Sequence, residues 1–98
     1  MNYEGSDKIR AYVFVQYTDK FGNGSEEVYM RGWQAMNHAQ TEWDSLAASD
    51  KKRFASDPAG KFCIYEIAIT PEDLSLYRKG ELDKPLSEFW RRDVWNAF

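Results

Sequence analysis

The chain has 98 residues, enough for one hydrophobic core and too few for two. Its net charge of −3 comes from acids spread along the whole length, with no basic stripe, which argues against a dedicated nucleic-acid binder. A single cysteine excludes an internal disulfide, and no stretch approaches the roughly 18 apolar residues of a membrane helix.

In chain order, Met1 to Asp7 reads as a flexible polar lead without the apolar run of a signal peptide, so a soluble, cytoplasmic protein is expected. Residues 8–98 then read as a single domain. From Lys8 to Thr18 the pattern is that of a strand. Ile9, Ala11, Val13, Val15 and Tyr17 line one side of it, while Tyr12 and Phe14 make the other side apolar as well. Asp19-Lys20-Phe21-Gly22-Asn23-Gly24 carries residues that tolerate positive φ and predicts a chain reversal. Ser25 to Arg31 completes a β-hairpin, with Val28 and Met30 on one face. The glycines of that reversal lead into a strand rather than a helix, so they do not make a phosphate cradle.

Gly32 ends the second strand. Met36, Ala39, Trp43 and Leu46 recur at spacings of three, four and three and predict an amphipathic helix over Trp33 to Ala48. Ser49 or Asp50 as N-cap predicts a second, shorter helix through Phe54, broken by Asp57-Pro58-Ala59-Gly60. Lys61 to Ile69 is a third strand, again apolar on both sides. Cys63, Tyr65, Ile67 and Ile69 line one side; Phe62, Ile64 and Ala68 share the other with Glu66. Thr70-Pro71-Glu72-Asp73 has the residue order of a helix start, and Gly80 that of its close. The last segment, Ser87 to Phe98, fits two patterns. Leu86, Phe89, Trp90, Val94 and Ala97 make a helical stripe, whereas Trp90, Arg92 and Val94 against Arg91, Asp93 and Trp95 make a strand.

The expectation is an α+β domain with a three- or four-stranded, mostly antiparallel sheet in the order ββαβα. The C-terminal segment is either a helix or an edge strand, which would give ββαβαβ. The Trp33–Ala48 helix is expected on the face built from Ile9, Ala11, Val13, Val15, Val28, Met30, Cys63, Tyr65, Ile67 and Ile69. The second face then needs cover, from the tryptophan-rich C-terminus or from a partner.

No motif here names a reaction or a cofactor. His38, the one histidine, lies off the apolar stripe and is expected at the solvated surface, and Cys63 is expected as a small buried hydrophobe. One Cys and one His do not make a zinc site, and Glu26-Glu27 and Glu72-Asp73 lack the spacing of a calcium loop. Two groups point instead to a partner. Tyr12, Phe14, Phe62 and Ile64 form an apolar patch if the second face is open. Trp90, Arg91, Arg92 and Trp95 have the composition of interface hot spots. The function expected from these residues is a small non-catalytic protein-binding or self-associating module, with inhibition of a larger enzyme as one specific form. Two alternatives stand beside it. Aromatics on the sheet face would stack bases in a single-stranded nucleic-acid module. The acidic run from Glu72 to Glu88 would act as a nucleic-acid mimic, as in some phage counter-defence inhibitors.

Overall fold

The computed structural model describes residues 8–18 and 24–98, so the expected lead at 1–7 and most of the expected reversal lie outside the described residues. Strand β1 (Ile9–Tyr17) is the sheet's second member. It pairs antiparallel with β2 (Gly24–Tyr29) on one side and β3 (Lys61–Ile69) on the other, and β4 (Arg91–Asn96) extends the sheet beyond β3. The order is therefore β2-β1-β3-β4, and the C-terminal segment is the edge strand. β2 and β3 both run against β1 and hence parallel to each other. Their connection must cross over β1, and it does so through α1 (Gly32–Ser45) and α2 (Ala48–Ser56). Between β3 and β4 lie α3 (Pro71–Arg78) and a 3₁₀ turn at Leu86–Glu88.

The ends of α3 follow from its sequence. The Thr70 hydroxyl accepts a hydrogen bond from the Asp73 N–H (3.1 Å), and Pro71 occupies the first turn, where no N–H is needed. At the other end Gly80 takes φ +74°, which an L side chain rarely adopts. Its N–H meets the Tyr77 carbonyl (3.0 Å) while the Glu81 N–H reaches back to Leu76 (2.8 Å), the paired bonds of a Schellman stop.

Both sheet faces are closed by the chain. Ala11, Val13, Val15, Tyr65, Ile67 and Ile69 pack beneath Leu74 of α3 and Leu86 of the 3₁₀ turn, with Tyr77, Leu82 and Phe89 at the margin. On the opposite face Phe14, Phe62 and Ile64 pack beneath Ala35 and Ala39 of α1 and Phe54 of α2, with Met36, Trp43 and Leu46 around them. The main helix thus sits on the face opposite to the one expected. With both faces apolar, composition does not mark a side. The crossover from β2 to β3 takes its side from the hand of its path. Ala35 and Ala39 are fully buried, so α1 approaches the sheet over methyl groups while the rings fill the flanks.

β4 carries a bulge. Ile64 faces Trp95 and Tyr65 faces Asp93, which leaves Val94 as the extra residue. Arg92 and Trp95 are three positions apart and would lie on opposite faces of a regular strand. The bulge puts both on the face covered by α1, Arg92 beside Glu66 and Trp95 beside Ile64.

Candidate functional site

The sheet-face patch expected as a docking surface is interior. Phe14, Phe62 and Ile64 are at most 1% exposed, because α1 and α2 cover them, with part of the C-terminal segment at their flank. Trp95 joins the same cluster, with its ring 6.2 Å from that of Phe62, and the Ala97 N–H bonds the Phe62 carbonyl (3.0 Å). Arg91 lies on the other face, over the Tyr65 ring at 5.2 Å. Of the eight residues singled out in the sequence, Tyr12, Trp90 and Arg92 remain together, at one end of the sheet.

That end is built by strand register. Arg10 follows Tyr12 on the α1-covered face and pairs with Ala68, whose N–H donates to the Trp90 carbonyl (3.2 Å). Trp90 is thereby held where the Arg10 guanidinium stacks on its ring at 4.5 Å. One register step inward, Glu66 pairs with Tyr12 on β1 and Arg92 on β4. The buried Glu66 carboxylate accepts the Tyr12 hydroxyl (3.1 Å) and meets Arg92 (3.0 Å). Burial, with the Glu66 bond second, holds the Tyr12 hydroxyl above its ordinary pKa, so it stays a donor. A carboxylate this buried needs both partners, and they in turn hold β4 to the central strands.

Beside this network an open cavity of about 510 Å³ lies between the start of β1 and the chain passing from β2 into α1. Ile9, Arg10 and Tyr12 form one wall and Met30 to Trp33 the other. Gly32 lets the junction pass close to Tyr12. A Cβ there would lie 3.3 Å from the Tyr12 ring, tighter than nearly all real contacts. Trp33 is 64% exposed, Trp90 54% and Met30 39%, so three of the five exposed large apolar side chains among the described residues stand at this one end.

Arg10, Met30, Arg31 and Trp33 carry much of this surface, with buried Glu66 beneath it, and none was among the candidates singled out in the sequence. One signal was legible: Trp33 opens the helix yet lies off the stripe of Met36, Ala39, Trp43 and Leu46, an apolar residue with nothing beneath it.

Other titratable clusters fasten elements together. His38 is half-buried rather than solvated. Its ring meets Phe14 edge-on at 5.0 Å, and its Nδ1 is hydrogen-bonded to the Tyr29 hydroxyl, with Glu27 3.8 Å away. This cluster fastens β2 to α1. Glu26 accepts the Tyr77 hydroxyl (2.9 Å) and fastens β2 to α3, so the Glu26-Glu27 pair is engaged rather than merely solvated. Burial pushes the Cys63 thiol up, away from nucleophilic thiolate. Among the described residues no three or more His, Cys, Asp or Glu side chains are grouped to hold a metal ion, and no helix is long and apolar enough to cross a membrane. No known protein family, curated protein or solved structure matches the chain.

Proposed function

We propose that this protein is a small, soluble, cytoplasmic and non-catalytic module that binds another protein, with inhibition of a larger enzyme as its most specific form. The observation that supports this is an open cavity lined by exposed Met30 and Trp33 with Arg10 and Arg31, beside which exposed Trp90 stacks on Arg10 and Arg92 meets Glu66. Trp and Arg are the side chains that dominate interface energetics, and they do so where rigid elements hold them. Here the sheet register, the stacked Arg10 and the Glu66 network do the holding. Base stacking on Phe14 and Phe62 is disfavoured, since α1 and α2 cover those rings. The acidic run from Glu72 to Glu88 is interrupted by Arg78, Lys79 and Lys84, and Lys84 lies over the Phe89 ring at 4.2 Å, so the run is a poor polyanion mimic.

Affinity capture from the native host tests this reading, using wild type, the double variant Trp33→Ala with Trp90→Ala, and a control with Lys52→Ala and Arg53→Ala on exposed α2. A discrete protein retained by wild type and the control and lost from the double variant is the expected result. Equal capture by all three would refute the assignment of this surface.

A further inference from the structure

The charges around the cavity are unbalanced. Glu66 is the acid within the site, and its carboxylate is already occupied by Arg92 (3.0 Å) and Tyr12 (3.1 Å). Among the described residues Arg10 stacks on Trp90 without a carboxylate partner, and Arg31, exposed at the cavity wall, makes no ion pair. Two guanidiniums therefore flank an apolar opening with their forked donors unused by any described carboxylate, in a chain that is acidic as a whole.

We propose, building on the docking assignment above, that the partner presents a short acidic segment carrying one aromatic or long aliphatic side chain. That side chain enters the cavity between Tyr12 and Trp33, and carboxylates on either side of it meet Arg10 and Arg31. The volume of about 510 Å³ accommodates a single large side chain, and the exposed Trp33 and Met30 provide its apolar contacts. Complementary charge sets the register of such a segment and excludes neutral or basic ones.

A nucleic-acid strand is the other polyanion to weigh, and the surroundings disfavour it. Phosphate-driven affinity needs many basic contacts along a track. Here the basic groups stop at one end of the sheet, and α3 begins at that same end, just after Ile69, with Glu72 and Asp73 in its first turn. A short segment stays within the guanidinium cluster; a long strand would run onto acidic surface.

The test is a random peptide display library selected on the full chain and counter-selected on the Trp33→Ala, Arg31→Ala double variant. Enriched peptides are expected to share a large apolar residue flanked by Asp or Glu. A synthetic copy should lose about tenfold in affinity when its acids become Asn and Gln, and a similar factor when Arg31 alone becomes Ala. Peptides enriched without acidic residues, no enrichment over the counter-target, or tighter binding of oligothymidylate than of any selected peptide would each overturn the proposal. If the host protein captured by wild type is still lost from the Trp33→Ala, Trp90→Ala variant, only the acidic character of the partner fails. If that discrimination is absent too, the docking surface itself fails.

Discussion

Replacing Phe62 with alanine is expected to cost about 3–5 kcal/mol of folding stability, a large part of the roughly 5–15 kcal/mol of an ordinary domain. The residue is the hub of the α1-covered core. Its ring centroid lies 4.9 Å from Trp43, 5.1 Å from Phe54, 5.2 Å from Phe14 and 6.2 Å from Trp95, so α1, α2, β1 and β4 all meet on it. Truncation removes the transfer energy of a fully buried ring and leaves a cavity that four elements cannot jointly collapse into. Phe62→Leu fills most of that volume and should cost about 1.5 kcal/mol or less. Urea denaturation followed by circular dichroism measures both. If Phe62 lay on a docking face, the alanine variant would keep its midpoint to within about 0.5 kcal/mol.

Truncating Arg92 to alanine is the second large effect, expected at about 1–3 kcal/mol, although Arg92 itself is mostly exposed. The loss comes from Glu66. With Arg92 gone, a carboxylate only 9% exposed is left with the Tyr12 hydroxyl of β1 as its remaining partner among the described residues. Removing the carboxylate as well should restore much of the loss, because replacing both partners of a buried pair is cheaper than orphaning one. The cycle of Arg92→Ala, Glu66→Leu and the double variant measures this in urea. The double variant is expected to be more stable than Arg92→Ala alone. Additive losses would mean that the two side chains act independently.

Much of the architecture was legible in the residues. The span of β3 matches Lys61–Ile69, and Thr70, Pro71 and Gly80 bound α3 by cap chemistry that operates within a few residues. What lay outside sequence reasoning was non-local. Two apolar faces gave no basis for choosing which would take α1, so Tyr12, Phe14, Phe62 and Ile64 read as a patch awaiting cover from the C-terminus or a partner, when α1 and α2 make most of them core. The strand pattern of the C-terminus was obscured by the bulge at Val94, which breaks strict alternation and moves Trp95 to the face of Arg92. α1 also stops at Ser45, short of Ala48, because Leu46 turns to an extended backbone, and Ala47 rather than Ser49 or Asp50 is the N-cap of α2. The docking surface was half legible. Trp90 and Arg92 stood out by composition, but Arg10, Arg31 and Trp33 join them only through the register of β1 with β3 and the turn from β2 into α1.

The four tryptophans fall into two pairs. Trp43 and Trp95 hold the core, while Trp33 and Trp90 are held by the fold for contact with something else. The most direct test is the urea denaturation of Trp33→Ala with Trp90→Ala. The predicted loss is within about 1 kcal/mol, set mainly by the Arg10–Trp90 stacking. A loss of more than about 2 kcal/mol would place both rings among the structural side chains and contradict the assignment of this end of the sheet to a partner.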